Sequence, residues 1–370
     1  MKKAIDFIKT EPVLVIALAL AAISSFFIPP DAAYFSYIDF KTLALLFCLM
    51  AVMAGLSAAG FFTRLAEALL RRVTTVRGVV ACLTLLCFFF SSLITNDVAL
   101  ITFVPFAIIA LRLADRTDLI PITVILQTIA ANMGSCLTPI GNPQNMYLYN
   151  ISGLGFLEFF LTMLPWAALS LVFLLVALLF IKNGPIAALQ GERAPLYLRA
   201  IPVYAVVFAL CLLSVLRLVH FGICLGVTLA VLLLFDRGIF KKIDYSLLLT
   251  FIGFFIFVGN MGRIPAVKDM ISTLLQGREV IFSAAISQVI SNVPAALLLS
   301  GFTESFDLVL IGVNIGGLGT LIASMASLIS YKFVARELPH KKGRYLAVFT
   351  ALNLLLLAIL IAVYLISRLL

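Results

Sequence analysis

Long apolar blocks, several of them broken at mid-length by polar residues, restrict this chain more than any other feature. A hydrocarbon core takes about 20 residues of helix to cross. Lipid offers no partner for free backbone N–H and C=O groups, so a broken span must be sheltered by protein or by a water-filled cavity. Only 12% of the residues are charged and 63% are hydrophobic, whereas a soluble domain carries roughly a quarter charged residues. The chain therefore reads as an all-α integral membrane protein. The longest polar gaps, 61–78, 182–199 and 332–344, leave no room for a sizeable extramembrane domain.

Apolar blocks and breakers place spans at about 13–29, 41–60, 120–150, 157–182, 200–217, 221–235, 245–262, 308–331 and 345–367. Two further regions, 79–114 and 280–301, carry a polar break between apolar arms. Arms of about 16 residues make roughly 24 Å of helix, short of the ~30 Å core, so both regions read as re-entrant helical hairpins. The first 30 residues resemble a secretory signal, but Phe26-Phe27-Ile28-Pro29-Pro30 stands where a small-x-small cleavage site belongs. They read as an uncleaved first span.

The formal charge of +9 does not call for nucleic acid, because Lys and Arg gather in cytoplasmic loops. With the N-terminus cytoplasmic, 20 of the 26 basic residues fall on the inner side. The expected location is a bacterial inner (plasma) membrane, crossed many times. The six cysteines lie in apolar segments without a C-x-x-C pair and read as buried thiols. His220 and His340 sit near span ends, with no metal role. Arg217 and Arg263 lie near the outer interface, where snorkelling is expected. Gln127, Asn132, Asn260, Asn314 and Asn353 are expected to hydrogen-bond between helices.

The two halves repeat. Ala131-Asn132-Met133-Gly134-Ser135-Cys136-Leu137-Thr138 aligns with Val313-Asn314-Ile315-Gly316-Gly317-Leu318-Gly319-Thr320. Ser91-Ser92-Leu93-Ile94-Thr95-Asn96 aligns with Ser287-Gln288-Val289-Ile290-Ser291-Asn292, and Asp39-Phe40 with Asp244-Tyr245. One copy starts outside and the other inside, so the repeats are inverted: residues 1–199 form the first, 200–219 a linking span and 220–370 the second. Inverted repeats with interrupted helices point to a transport site at their interface.

Four polar constellations carry the chemistry. Thr95-Asn96-Asp97 and Ser291-Asn292-Val293-Pro294 break the two hairpins. Such residues also cap ordinary helices, but two symmetric breaks at membrane depth favour function. Asp97 is a carboxylate deep in an apolar segment, which costs at least about 2.5–3.5 kcal/mol on insertion scales. A cation, a proton or a capping role would account for it. The third constellation, Thr138-Pro139-Ile140-Gly141-Asn142-Pro143-Gln144-Asn145, cannot stay helical. The helix is expected to restart near Pro143, capped by Asn142, presenting free N–H groups that suit an anion. The fourth runs from Gly316 through Thr320, Ala323 and Ser324 to Ser327; its glycines also fit close helix packing.

These residues resemble the ion transporter superfamily, in its divalent-anion/sodium symporter and citrate-transporter-like branch, over nearly the whole chain. The resemblance implies a homodimer with a scaffold domain and an elevator-type transport domain. It implies one sodium site at Ser91, Thr95, Asn96 and Gly141 and another at Ser287, Ser291, Asn292 and Ala323. It places substrate at Asn96, Asp97, Asn142, Asn145, Asn292 and Val293, with Thr320 and Ser324 beside them. Where the family carries a terminal Thr at each tip, this chain has Asp97 and Val293. Neither donates a hydroxyl to a carboxylate, and Asp97 repels an anion unless protonated or neutralised. An Asp beside the tip Asn is also similar to the arsenite and sodium/proton branches.

The leading expectation is a secondary active transporter of a small anion (a carboxylate or inorganic oxyanion), coupled to Na⁺ or H⁺ and using no cofactor. The competitors are a cation/proton antiporter exchanging through Asp97 and an arsenite-type efflux permease. An intramembrane enzyme would need an acid/base or metal cluster, which the sequence does not offer. A passive channel would also use broken helices.

Overall fold

The computed structural model describes residues 11–70, 73–185 and 195–369. Lys2, Lys3, Lys9, Arg71, Arg72 and Arg193, used in the charge count, lie outside the described residues. The architecture is all-helical. Helices α1 (Pro12–Phe27), α2 (Ala33–Tyr37), α3 (Phe40–Ala58) and α4 (Phe61–Leu70) come first. Helix α5 (Val76–Ile94) and α6 (Asn96–Leu113) then form a hairpin, followed by α7 (Ile120–Ser135), α8 (Pro143–Ser152) and α9 (Phe156–Leu179). Helices α10 (Ala200–Val215) and α11 (Phe221–Leu234) lead to α12 (Tyr245–Gly262) and α13 (Pro265–Leu275). A second hairpin, α14 (Glu279–Ile290) and α15 (Asn292–Ser300), precedes α16 (Phe306–Ile315), α17 (Met325–Glu337) and α18 (Lys342–Ser367). Among the described residues, six helices are long and apolar enough to cross a membrane by length and composition.

Local chemistry sets the boundaries that matter. Asp39 caps α3 by accepting from the Thr42 N–H at 3.0 Å, and Asp244 caps α12 by accepting from the Leu247 N–H at 2.9 Å. The helix expected over 120–150 does stop and restart: α7 ends at Ser135, and α8 begins at Pro143 with Asn142 accepting from the Asn145 N–H at 2.9 Å. Pro143 fits that first turn because its missing N–H has no partner to lose. In the second half the chain leaves α16 at Ile315 and restarts at Met325.

The first hairpin corrects the length argument. Its arms run 19 and 18 residues, about 28 and 27 Å of helix, so length alone does not separate them from full spans. The arms of the second hairpin, 12 and 9 residues, are far too short to cross. The amphipathic α4 and α13 were not expected from the apolar pattern.

Packing follows one scheme in both halves. Helix α5 lies along α7 as α14 lies along α16. Each restarted helix then crosses to the other half: α8 packs on α15 and α16, and α17 packs on α6 and α7. Close approach is bought with glycine. A Cβ on Gly134 would fall 1.9 Å from the Phe88 carbonyl oxygen, and one on Gly316 would fall 2.7 Å from Ala284 Cα. Helices α10 and α11 pack instead on α3, and α1 packs on α12.

Candidate functional site

Both hairpins turn through a single non-glycine residue in the left-handed φ range, Thr95 at φ 74° and Ser291 at φ 76°. Such a backbone costs on the order of 1–3 kcal/mol and persists only when its surroundings hold it. Here the next residue is held by the opposing break: the Asn96 N–H donates to the Gly141 carbonyl at 3.0 Å, and the Asn292 N–H donates to the Ala323 carbonyl at 3.0 Å. Each hairpin tip is thereby stitched to the unwound segment of its own half.

A buried asparagine network then joins the halves. Asn96 Nδ2 donates to Asn132 Oδ1 at 3.2 Å, and Ser324 Oγ donates to the same oxygen at 3.0 Å. Asn142 Nδ2 donates to Asn314 Oδ1 at 3.1 Å, and Asn314 Nδ2 donates to Asn145 Oδ1 at 2.7 Å. Asn132 therefore reaches the restart of the second half, and Asn314 that of the first. Asn145 is fully buried and gives its amide N–H groups to the Ser135, Cys136 and Thr138 carbonyls. It ties up backbone that the broken helix would otherwise leave unpaired.

The network borders a narrow chamber of about 10 Å³ lined by Asn96, Asp97, Pro143, Gln144, Leu247, Asn292, Val293, Ser324 and Met325. These residues include the first turns of α6, α8, α15 and α17, so four helix N-termini converge on one point. Each carries about half a positive charge from its aligned peptide dipoles, although the first N–H groups of α6 are already taken by the Gly141 carbonyl, Asn96 Oδ1 and Thr95 Oγ1. Asp97 also lines a cavity of about 510 Å³ with Thr95, Asn142, Lys242, Asp244 and apolar residues of α3. This cavity opens the chamber toward the Lys242–Asp244 end. A separate cavity of about 90 Å³ brings Ser291 and Val293 beside Glu11, Asp244 and Lys332.

Of the expected site residues, Asn96, Asp97, Asn292, Val293 and Ser324 meet in the chamber, and Thr95 and Asn142 line its approach. Gly141 and Ala323 supply the carbonyls that hold the two tips. Ser91 and Ser287 turn their hydroxyls to their own helices, donating to the Phe88 and Ser283 carbonyls. Thr320 stands apart from the chamber, because Gln288 claims it: its N–H donates to Gln288 Oε1 at 2.9 Å and its hydroxyl to the Gln288 carbonyl at 3.2 Å. The equivalent Thr138 likewise donates to the Ser92 carbonyl. These two threonines brace their hairpins.

Two residues outside the expected set matter. Gln144 is 1% exposed and lines the chamber; it lies within the Thr138–Asn145 string, where a polar side chain at a helix restart was the available signal. Gln288 Nε2 donates to the Gly316 and Leu318 carbonyls at 2.7 and 2.9 Å, and no pattern in the sequence marked it. Arg217 and Arg263, expected near the outer interface, also make specific contacts. Arg217 caps the end of α8, donating to the Tyr149 and Gly153 carbonyls at 2.9 and 3.3 Å. Arg263 pairs with Asp31 at 2.7 Å.

The chain matches the citrate transporter family model over residues 7–306 and belongs to that family. It is 33% identical over 330 residues to an uncharacterized transporter of Methanocaldococcus jannaschii, covering 89% of this chain and 90% of that one. It is 31% identical over 315 residues to the inner membrane protein YbiR of Escherichia coli, covering 83% and 84%. A shorter match, 37% identical over 140 residues, joins 37% of this chain to 28% of the silicon efflux transporter LSI3 of rice. The protein is thus a multi-pass membrane transporter of the citrate/arsenite permease type rather than an enzyme.

Proposed function

We propose that the protein is a secondary active transporter that binds a small anion where the chamber meets the adjoining large cavity and carries it across a bacterial inner membrane, coupled to Na⁺ or H⁺. One observation carries this reading: four helix N-termini converge on a single buried chamber. Aligned peptide dipoles there stabilise negative charge without a basic side chain. Inverted repeats account for the matched tips, matched breaks and crossed asparagine bonds. The mobile unit of an elevator would be the two hairpins with α7, α8, α16 and α17. Helices α3, α10 and α11 would form the scaffold and a homodimer contact. A coupling Na⁺ would find oxygens at Thr95 and the Gly141 carbonyl, and again at Ser291 and the Ala323 carbonyl.

A second reading, cation/proton exchange through Asp97, is favoured by one specific fact: Asp97 Oδ1 is buried without a hydrogen-bond partner. Proteoliposome flux decides between them. Saturable anion uptake driven by an imposed Na⁺ or H⁺ gradient supports the first reading. Cation/proton exchange that needs no anion, and vanishes in Asp97→Asn, replaces it with the second.

A further inference from the structure

The cavity of about 510 Å³ beside the first hairpin tip is far roomier than the chamber it adjoins, and most of its lining is hydrocarbon. Met50 and Ala54 of α3 share it with Val98 and Ile101 of α6 and with Leu247 and Met325. None of these six side chains is fully buried, so they offer apolar surface to whatever fills the space. Sites for organic molecules have this build: roughly 300–1,000 Å³, apolar walls and a few placed polar groups. Here the polar groups stand at two ends, Thr95, Asp97 and Asn142 at the tip and Lys242 and Asp244 opposite. The tip has little hydrogen bonding to give. The Asn142 amide is committed to Ser135 and Asn314. Thr95 Oγ1 accepts from the Val98 N–H at 3.5 Å, and among the described residues its own hydroxyl proton goes to no acceptor. One hydroxyl suits one polar group on a guest, and the rest of that guest meets hydrocarbon.

Charge narrows the guest further. The N-termini of α6, α8, α12 and α17 reach the cavity through Asp97, Pro143, Asp244 and Met325, each with about half a positive charge. Among the described residues that line it, the other charges are Lys242 and the carboxylates of Asp97 and Asp244. With both carboxylates ionised, about one positive unit is left over. That balance suits a monoanion. A dianion or trianion would bring uncompensated charge against an apolar wall. A polycarboxylate also carries oxygens on several sides, and this wall would strip their water without replacing it.

We propose that the transported solute is an organic monoanion with an apolar body, and that helix α3 selects it by that body. The anionic group lies at the first tip, where it accepts from the Thr95 hydroxyl. The hydrocarbon body extends into the large cavity against Met50, Ala54 and Ile101. This rests on the transport reading and adds a substrate class to it. Selection by the body comes from α3, outside the hairpins and broken helices that hold the anionic end, and it works against polar polyanions such as citrate.

The test is isothermal titration of the purified full-length protein at pH 7, with blank titrations into detergent micelles to remove partitioning. The probes are acetate, butanoate and hexanoate, the uncharged hexanamide, and succinate, citrate and inorganic phosphate. Affinity should rise about fourfold per methylene from acetate to hexanoate, the equivalent of about 0.8 kcal/mol per buried CH₂. Hexanoate should bind at least about tenfold more tightly than hexanamide, which lacks the charge that the helix N-termini favour. It should exceed succinate, citrate and phosphate by a similar factor, because their polar groups go unpaired on the apolar wall. Met50→Gln places an amide on that wall and should flatten the rise with chain length. Ala54→Leu, with a melting curve for each variant, covers the case in which Met50→Gln does not fold. It shortens the space and should move the best-bound chain from hexanoate to butanoate. Citrate, succinate or phosphate bound as tightly as hexanoate, no gain from acetate to hexanoate, or a folded variant of either kind with the wild-type chain-length series would overturn the apolar-body selection while leaving anion transport standing. A folded wild-type protein that binds none of the anions would remove the anion reading together with it.

Discussion

The two hairpin tips share a backbone and differ in chemistry. Thr95-Asn96-Asp97 and Ser291-Asn292-Val293 turn at nearly the same φ, 74° and 76°, and each donates its Asn N–H to the carbonyl of its own break. The third residue is a carboxylate in one and an isopropyl group in the other. Gln144 and its counterpart Ala326 differ in the same sense. Geometry is therefore common to the halves, while the carboxylate and the glutamine of the chamber come from the first half and Asn292 and Ser324 from the second. The two ends of the restarted helices differ as well. Asn150 Nδ2 donates to Thr42 Oγ1 at 2.8 Å, and Arg217 caps the same end of α8. Lys332, at the position corresponding to Asn150, instead lines a cavity with Asp244 and Glu11. The end of α8 is therefore held by side-chain bonds, while the corresponding part of α17 faces a cavity.

The largest expected effect tests the shared geometry. Gly134→Ala forces a methyl against backbone at 1.9 Å, Gly316→Ala against Cα at 2.7 Å. Overpacking of this kind costs about 1–3 kcal/mol. The first should sit at the top of that range and lower the melting midpoint well below that of the second; equal midpoints would show that the two contacts relax alike.

The crossed asparagines come next. Asn132→Ala and Asn314→Ala each strand buried partners, at about 1–3 kcal/mol. If the halves are equivalent supports, the two losses in thermal stability should agree within about 0.5 kcal/mol, and the double variant should exceed either alone. A loss confined to one of them would break the equivalence.

A smaller effect is expected at the latch. Arg217→Ala and Asn150→Ala each remove exposed or half-buried bonds worth about 1 kcal/mol, or a severalfold shift in population between states. In a cysteine-free background, Val98→Cys, half-buried in the large cavity, should be labelled from the Lys242 side, and each latch variant should raise its labelling from the other face. Unchanged labelling would show that these bonds do not hold the closed end.

The smallest effect separates Arg263 from Arg217. The Arg263 hydrogen bond holds the Asp31 carboxyl below its ordinary range. A depressed folded-state value means the contribution is present above the unfolded value, about pH 4, and fades as pH falls through the folded one. Because the pair is exposed, Arg263→Met should lower the melting midpoint only slightly at pH 7, and the difference should vanish as pH falls below about 4. A loss that persists in full at low pH would indicate a structural role beyond the ion pair.

Much of this was legible in the sequence because lipid is a strict solvent. The breaks at Asn96, Asn142 and Asn292 had to be sheltered, and the repeat register of 132 with 314 and 96 with 292 said which breaks belonged together. Helix restarts at Pro143 and Met325, and caps at Asp39 and Asp244, follow from local backbone chemistry that neighbouring residues carry by themselves. Hairpin arm length was misjudged for the first hairpin, since helix ends are set by capping at Thr75 and Thr95 rather than by where the apolar run fades. Thr320 could not be told from Ser324 in one dimension. Both are hydroxyl residues in a glycine-rich break, and only the approach of Gln288 turns one away from the chamber.

The sequence alone determined the class of solvent, the positions of the breaks and the pairing of the halves, because these depend on local backbone needs that lipid enforces. Only the tertiary structure decided which side chains meet. Asn132 crosses to Ser324 and Asn314 to Asn142 across some 190 and 170 residues of chain, and Gln144 joins Asp97 in one chamber. Directional hydrogen bonds between distant segments depend on ångström-scale placement of whole helices, which no periodicity or motif encodes.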